Sequence, residues 1–397
     1  MGNYVQPAVV ADKMLEFMDN LIRIGATVNR QYENVLLERK GQTFSVKKPP
    51  RYESTDGPVI TTLQTMNQGS VDVTANNWKT IPLELSGMDL TMNASAFDDW
   101  AENFLKPASS RLVNDIELSL YGLYQDIYNF AGTPGTGPTT YDVFAEAREV
   151  LTNTATPAED RFVALSPKGY RKTSTGLSTG FNPQAQIGRV VMEGALPPIA
   201  GFTPFEAQNT PVHTVGAYGG TPLTNGTGQI GSTLITDGWT TATLVVKKGD
   251  VFTVADVYAV NPNNGQSTGN LQTFVATADG TSDGSGNLII SISPPVIVSG
   301  AFKTVNAAVL DGKAVTHKGT ASTAYGQNIA YHKNAFGLCM ASIKAPRGLK
   351  AITRNYKGMA LTITTGPDIM NFSEIWRADA AWAVKTFWAE NAVRITN

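Results

Sequence analysis

Three residue patterns in the sequence could carry chemistry, and each lacks the context that its chemistry requires. His213, His317 and His332 stand far apart without flanking residues at ligand spacing, so we interpret each as a surface or strand histidine. The run 280–284 reads Gly-Thr-Ser-Asp-Gly and matches the string of a nucleophile elbow. Such an elbow needs a strand before it and a helix after it, whereas small turn-forming residues surround this one and predict a hairpin turn.

The segment that begins at Asp279 has a faint similarity to a calcium-binding loop. Asp279, Thr281 and Asp283 occupy alternating positions of such a loop, but Ile290 stands where the bidentate glutamate belongs. No phosphate-binding Gly-x-x-x-x-Gly-Lys-Ser/Thr string occurs, and a single cysteine excludes an intramolecular disulfide or a thiolate cluster. We therefore predict no catalytic residue, no metal site and no cofactor.

The composition disfavours several classes of direct ligand. Charged residues make up only 16% of the 397-residue chain and the net charge is -2, so the charge balance does not point to nucleic acid or an acidic membrane. No apolar stretch approaches the ~18 residues of a membrane span. The N-terminal segment lacks the pattern of a secretion signal, and we expect a soluble protein made in a reducing cytoplasm.

Apolar residues at helical spacing run from Ser95 to Phe130 and predict one long helix. At ~1.5 Å per residue it would span about 50 Å, which is longer than a compact core needs. Ser95 can cap its start, and the Gly-Thr-Pro-Gly run at 132–135 ends it. Pro107 should kink the helix because proline lacks the N–H of its turn. The alternative is an ordinary core helix of a large domain.

The N-terminal segment predicts an amphipathic arm. Its apolar residues follow one helical stripe, formed by Val10, Met14, Phe17, Leu21, Ile24 and Val28. Asp12, Glu16 and Asp19 lie on the opposite face, which is either a solvated face or the docking face for a basic partner. Such a helix needs a surface to lie on, either in its own subunit or in a neighbour.

After the arm, the pattern changes to β. Apolar and polar residues alternate around 44–46, 71–73 and 81–85, and a turn-rich charged tract at 49–58 follows the first run. This predicts a long hairpin with few core residues at its tip. A two-stranded ribbon is marginal alone, so other contacts must support it, unless it is a sheet edge with a long loop.

The remaining sequence mixes helices and strands around an inserted β segment. A helix at 141–151 and a strand at 162–165 indicate α+β character, and a helical patch follows near 187–192. Between about 233 and 304 the composition shifts to Thr, Val, Gly and Asn, which predicts a small all-β module.

Several segments, in their order and spacing, resemble the P22-type coat protein family, which comprises major capsid proteins of tailed bacteriophages with the HK97 fold. These segments cover most of the chain and are Arg111–Leu118, Ile199–Phe202 with Asn209–Val212, Lys247–Thr253, and Trp376–Asp379 through Val384-Lys385 to Ala392–Ile395.

The resemblance implies an α+β, HK97-like fold with seven segments. They are an N-arm (1–40), an E-loop hairpin (41–86), a peripheral-domain strand with the spine helix (87–140), an axial domain in two parts (141–232 and 305–350) around an inserted β-barrel (233–304), and C-terminal peripheral-domain strands (351–397). It also implies intersubunit ion pairs by the E-loop residues Lys47, Lys48, Arg51, Glu53 and Asp56.

The resemblance further implies a structural function rather than an enzymatic one. Copies of the chain would form hexamers and pentamers of an icosahedral shell that encloses double-stranded DNA without reading its sequence. A scaffolding protein, a portal protein and a decoration protein would be its partners, and the shell would expand on maturation. Assembly would take place in the bacterial host cytoplasm, with the virion capsid as the final location and no membrane involved.

Two other functions are alternatives at this point. An encapsulin-like cargo compartment would share the fold without a phage role, although the inserted β module argues against it. A β-rich carbohydrate-active enzyme is disfavoured, because the sequence offers no pair of carboxylates that can be placed in a cleft.

Overall fold

A computed structural model of the chain describes residues 6–32, 43–52, 68–86, 94–180, 194–343, 348, 350–368, 370–371 and 373–396. The chain divides into two units, and each is described by itself. Unit 1 comprises Met1–Lys47, Ser70–Leu120 and Phe336–Phe387, and unit 2 comprises Lys48–Gly69, Tyr121–Ala335 and Trp388–Asn397. Both cores therefore combine residues that are distant in sequence.

The described helices concentrate in the first half of the chain. They are α1 (Pro7–Leu21), α2 (Ile24–Thr27), α3 (Ala94–Trp100), α4 (Lys106–Tyr121), α5 (Tyr141–Asn153) and α6 (Pro167–Gly180). A π-helical turn, Ala101–Leu105, joins α3 to α4, and the 3-10 turns are Gly122–Asp126, Lys333–Ala335 and Ala389–Asn391.

Strands dominate the second half. They are β1 (Phe44–Lys47), β2 (Ser70–Val73), β3 (Asn77–Ser86), β4 (Phe130–Ala131), β5 (Arg161–Leu165), β6 (Thr203–Glu206), β7 (Val212–Thr214), β8 (Gly220–Thr224), β9 (Gly231–Trp239), β10 (Leu244–Val246), β11 (Val251–Val260), β12 (Ser267–Ala276), β13 (Gly280–Thr281), β14 (Leu288–Val296), β15 (Val315–His317), β16 (Ala324–His332), β17 (Phe336–Ala341), β18 (Lys350–Tyr356), β19 (Met359–Asp368), β20 (Ser373–Thr386) and β21 (Ala392–Thr396).

Unit 1 is built on a five-stranded antiparallel sheet around the 14-residue strand β20. β3 pairs along one side of β20, β19 and β17 follow one another along the other, and β18 lies outside β19. Trp376, Ala378 and Trp382 share one face of β20 and are buried, as the two-residue period of a strand requires. α1 packs against β18 and β19 and buries Val10, Ala11, Met14, Leu15 and Met18. The apolar stripe of the arm is thus covered by its own subunit.

The arm helix is shorter than the sequence pattern predicts. α1 ends at Leu21, because Ile22 takes an extended conformation with φ -68° and ψ 130°. The short helix α2 then carries Ile24, so the predicted stripe from Val10 to Val28 is divided between two helices.

The spine helix also ends earlier than predicted. The prediction of one helix from Ser95 to Phe130 is wrong, because the α-helix stops at Tyr121 and gives way to a 3-10 turn. Phe130 and Ala131 form β4, which pairs in parallel with Arg394 and Ile395 of β21. Apolar residues that continue the helical period near a helix end fit a buried strand equally well.

Pro107 is the second residue of α4, which begins where the π-helical turn ends. A proline has no N–H to donate to the carbonyl of the preceding turn and crowds that carbonyl. A π turn is wider than an α-helical turn, and helices that contain a kink or a break in their hydrogen bonds often have one there. The structure therefore shows an irregular turn where the sequence predicts a kink.

The β1–β2 ribbon belongs to the predicted E-loop hairpin. Phe44 pairs with Val73 and Val46 with Val71 in antiparallel register, and Ser45 donates a hydrogen bond to Asp72. The third predicted run, now β3, pairs with β20 instead of extending the hairpin. The ribbon described here is therefore only four residues long on each strand.

Unit 2 contains a mixed sheet with the order β4-β21-β16-β5-β6, and β7 also pairs with β16. α5 buries Phe144, Ala147 and Leu151 in the core of this sheet. α5 and β5 correspond to the helix and the strand predicted at 141–151 and 162–165, whereas the predicted helical patch near 187–192 lies outside the described residues.

Six antiparallel strands of unit 2 form the inserted module, in the order β15-β11-β12-β14-β9-β8. A bridge between Leu223 and Ala314, with a hydrogen bond from Thr224 N–H to the Lys313 carbonyl, joins the two outer strands and closes a barrel. The strands reach from Gly220 to His317, beyond the predicted limits of 233 and 304. The outer strands β8 and β15 were not predicted, because they are short and turn-forming residues surround them in the sequence.

His317 is the unusual member of the barrel core. Its ring stacks on Tyr218 with the ring centroids 4.4 Å apart, and the rings of Trp239 and Phe252 lie 5.5 and 5.7 Å away. Neither ring nitrogen has a hydrogen-bond partner in the described part of the chain. Burial lowers the pKa of His317 from 6.5 to about 4, partly opposed by the charge of Asp250.

We predict that His317 makes the chain less stable as the pH falls. Between its unfolded pKa of about 6.5 and its folded pKa of about 4, only the unfolded chain binds a proton here, so protons favour unfolding. The loss should reach about 3 kcal/mol near the folded pKa and then level off.

The measurement is urea unfolding across this pH window for the wild-type chain and for His317→Phe, which cannot titrate. The variant should show the shallower slope. Some slope should persist, because burial also lowers the pKa of His332. Identical slopes in the two proteins would contradict the prediction.

Candidate functional site

The turn that opens β11 brings together the buried polar groups of unit 2. Asp250 stands at the end of this turn, and His213 lies in β7. Tyr124 belongs to the 3-10 turn after α4, and Arg394 lies in β21. We call these four residues the Asp250 cluster. Because they come from the barrel, the sheet and the 3-10 turn of unit 2, the cluster forms only when these three parts of the unit have folded together.

Asp250 is the centre of the cluster, and its side chain is fully buried. His213 Nε2 donates to Oδ1 at 2.7 Å, and the backbone N–H groups of Gly216 and Lys247 donate to Oδ2 at 3.0 and 2.8 Å. A carboxylate removed from water is very costly unless such donors replace its hydration. The three donors therefore decide how this turn is folded.

Tyr124 and Arg394 complete the cluster. The Tyr124 hydroxyl lies 3.1 Å from His213 Nδ1, and the Arg394 guanidinium lies 5.7 Å from the centre of the Tyr124 ring. Arg394 Nη2 also donates to the Gly249 carbonyl at 2.7 Å. Burial lowers the pKa of Arg394 to about 10, although Tyr124 and Asp250 both raise it. At neutral pH the cluster therefore holds a buried cation near its buried carboxylate.

Two glycines allow the backbone to approach the cluster. Gly249 has φ +94°, and a Cβ there would lie 3.2 Å from Gln125 Cγ and 3.3 Å from His213 Cε1. A Cβ on Gly216 would lie only 2.4 Å from the Val245 carbonyl oxygen. Gly249 is thus favoured by its backbone conformation, and Gly216 is required by the lack of space for a side chain.

This arrangement supports packing rather than catalysis. Both ring nitrogens of His213 are engaged, so neither can accept a substrate proton without breaking the network. Ser282, the serine of the elbow-like string, is buried and donates to the Thr240 carbonyl. Asp279 accepts the N–H of Lys248. Among the described residues, no group of three or more His, Cys, Asp or Glu could hold a metal ion.

The predicted acidic face of the arm is ion-paired within the chain. Each of its three carboxylates has a basic partner, in the pairs Asp12–Arg354 (3.6 Å), Glu16–Lys13 (3.2 Å) and Asp19–Lys357 (2.5 Å). A basic partner protein would therefore meet carboxylates that are already partly neutralised.

The predicted E-loop residues are placed only in part. Lys47 is exposed at the end of β1, and Lys48 is half-buried. Arg51 forms an ion pair with Glu390 at 3.2 Å, inside its own subunit. The other two predicted residues, Glu53 and Asp56, lie outside the described residues.

Sequence reasoning missed the polar groups that organise both units. The Asp250 cluster joins positions 124, 213, 250 and 394, which have no recognisable spacing. In unit 1, Asp379 is 4% exposed and accepts hydrogen bonds from Trp78 Nε1 at 3.0 Å and Arg377 Nε at 2.9 Å. Two segments that carry the family resemblance, Lys247–Thr253 and Trp376–Asp379, contain Asp250 and Asp379. The resemblance did not indicate that these two carboxylates would be buried and hydrogen-bonded.

We predict that Asp250→Asn destabilises the chain by about 3 to 5 kcal/mol, because the amide cannot accept from all three donors and leaves Arg394 without its counter-charge. Urea unfolding at neutral pH measures the loss. Asp256→Asn is the matched control. Asp256 is 62% exposed, and Lys313 is its one ion-pair partner among the described residues. Its φ of 64° is tolerated by asparagine, so the loss of stability should stay below about 1 kcal/mol. Equal losses would refute a special role for Asp250.

Comparison with known proteins places this architecture in context. No helix in the described part of the chain is long and apolar enough to cross a membrane. No curated protein gives a significant match.

Several solved structures are similar to this chain. A structure from Mycobacterium phage Che8 has 12% identity, covers 94% of this chain and 90% of the phage chain, and has a TM-score of 0.45. The capsid of Cyanophage P-SCSP1u has 12% identity, coverages of 89% and 83%, and a TM-score of 0.41.

A virus-like particle from Pyrococcus furiosus has 8% identity, coverages of 97% and 96%, and a TM-score of 0.39. Because these TM-scores lie below 0.5, the family assignment does not rest on them. It rests on a family model described as P22 coat protein, gene protein 5, which matches residues 2–394. The α+β architecture with its closed barrel agrees with the HK97-like capsid fold predicted for that family. The chain therefore belongs to the P22 coat protein family and is a phage capsid shell protein.

Proposed function

We propose that copies of this chain assemble as hexamers and pentamers into an icosahedral head that encloses double-stranded DNA. The observation that carries the proposal is the family match over residues 2–394. In this proposal the chain follows the seven-segment division given above, with the barrel limits widened to the strands from Gly220 to His317. Its role is structural, and the DNA is enclosed rather than read.

The E-loop would connect neighbouring subunits. A ribbon of two four-residue strands is marginal alone and gains stability by lying on another surface. Lys47, Lys48 and Arg51, with Glu53 and Asp56, supply charges for this contact. Each exposed pair contributes only ~0 to 1 kcal/mol, so stability would come from many contacts repeated around closed symmetry. Arg51 would have to exchange Glu390 for a partner in the neighbouring subunit.

A scaffolding protein would assist assembly, and a portal protein and a decoration protein would join the shell. The acidic face of the arm, with Asp12, Glu16 and Asp19, is the proposed contact for a basic segment of the scaffold. If a triple Asp12→Lys, Glu16→Lys, Asp19→Lys variant assembled with scaffold as the wild type does, this contact would be excluded.

Electron microscopy across a sedimentation gradient tests the proposal, with the chain expressed alone and with its candidate scaffold. We expect closed shells of uniform diameter, with scaffold increasing their yield. Shells filled with an enzyme cargo would favour a cargo compartment instead. A chain that stays monomeric or forms only small oligomers in both preparations would count against a shell-forming role.

Expansion of the head would require a subunit element with two conformations, and we propose the π turn before Pro107 as that element. Pro107→Ala restores an N–H, favours a continuous α-helix and should yield shells that assemble but expand less readily. The shell diameter before and after an expansion trigger, measured by electron microscopy, is the readout. Lys106→Ala, at the exposed neighbouring position, is the control. Normal expansion of the Pro107 variant would remove this role.

A further inference from the structure

Three buried polar atoms of unit 2 have no hydrogen-bond partner in the described part of the chain. They are Arg394 Nε, Gln327 Oε1 and Thr396 Oγ1. Thr396 is 5% exposed, and the other two residues are 2% exposed. A buried polar group without a partner is costly, and folded proteins usually supply one from the chain or from ordered water. These three atoms therefore need a partner that the chain itself does not provide.

The mixed sheet of unit 2 brings the three side chains to one face. Gln327 of β16 pairs directly with Thr396 of β21 in the antiparallel register, and directly opposite residues share a face of the sheet. Arg394 precedes Thr396 by two residues on β21, so it lies on the same face. All three residues line one cavity, which the turn at 249–251 also lines. The sheet and the turn before β11 thus meet around this cavity.

Other hydrogen bonds fix which atoms remain unpaired. Gln327 Nε2 donates to the Tyr325 carbonyl at 3.0 Å, so the amide keeps its oxygen as the unpaired atom. Arg394 Nη2 donates to the Gly249 carbonyl at 2.7 Å, so the guanidinium keeps Nε–H. The remaining groups are therefore one charged donor, one acceptor, and one hydroxyl that can act in either way.

The size and chemistry of the cavity select its ligand. It offers about 10 Å³ to the centre of a water-sized sphere, enough for one water molecule. A water can accept from Arg394 Nε–H and donate to Gln327 Oε1, whereas a halide ion has no proton for that oxygen. The buried carboxylate Asp250 also lines the cavity and would repel an anion.

We propose that this cavity is a binding site for one water molecule. The water accepts a hydrogen bond from Arg394 Nε, donates one to Gln327 Oε1 and forms a third with the Thr396 hydroxyl. Three hydrogen bonds are the usual number for a buried water. The water completes the hydrogen bonding of the buried cation that also holds the Gly249 carbonyl, and it is thereby a structural part of the contact between the turn and the sheet.

The site is tested first by urea unfolding of Thr396→Val in the full-length chain. Valine has nearly the shape of threonine but cannot bond to the water. We expect the equilibrium constant for folding to fall about two- to tenfold, the usual range for one lost hydrogen bond. If the cavity were dry, the buried hydroxyl would have no partner and valine would raise this constant. A raised or unchanged constant would therefore overturn the site.

Thr316→Val is the matched control, since Thr316 is an exposed threonine on a strand of the same unit. It measures the effect of valine on a strand without loss of a buried hydroxyl. Its folding constant should stay within about twofold of the wild-type value. An equal fall in both variants would show that the Thr396 hydroxyl has no special role.

The water is tested directly by a density map at a resolution of about 2 Å or better. We expect one peak at hydrogen-bond distance, about 2.5 to 3.2 Å, from all three atoms. Continuous protein density or no peak at this position would overturn the site. The map can come from a crystal of the free chain or from its shells, so the result does not depend on the proposed function.

A comparison of salts separates water from an anion. The wild type and Thr396→Val are unfolded with urea in sodium chloride and in sodium gluconate at equal ionic strength. We expect the ratio of their folding constants to be the same in both salts. A wild-type chain that chloride stabilises and a Thr396→Val chain that it does not would assign the site to an anion and overturn the water.

Discussion

Burial of the Asp250 carboxylate is the constraint on which unit 2 depends. A charge removed from water costs several kcal/mol unless donors replace the lost hydration. His213 and two backbone N–H groups supply those donors, and they belong to the sheet strand β7, the residues just after it and the turn before β11. The barrel therefore cannot take an arbitrary position on the sheet. The barrel strand β11 starts from a turn whose buried charge accepts a hydrogen bond from His213 of the sheet.

Unit 1 uses the same principle in another place. Asp379 accepts from Trp78 on β3 and from Arg377 on its own strand, so a nearly buried carboxylate joins the edge strand to β20. Apolar burial stabilises the core of each unit but is not directional. Because hydrogen bonds to a buried charge have strict geometry, the two aspartates supply the registration that apolar packing lacks.

The charges on the surface behave differently from the buried ones. Arg51, Asp12 and Asp19 all have partners inside their own subunit, at exposed or half-exposed positions. Pairs of this kind are individually weak and easily exchanged. Buried charges with several donors therefore determine the structure of each unit, whereas the exposed pairs contribute little to its stability.

The sequence by itself determined the local elements, because hydrophobic period and turn residues act over a few neighbours. It predicted the amphipathic arm, the helix at 141–151, the β module and the ribbon, and its motif order indicated the family. It placed Phe130 in a helix, because a short apolar run fits a helix end and a buried strand equally well. Only the tertiary structure decided that Phe130 pairs with β21 and that β8 and β15 close the barrel. It also decided that Asp250 meets His213, Tyr124 and Arg394, since contacts between residues up to 270 positions apart depend on the folded path of the chain and leave no periodic signal in it.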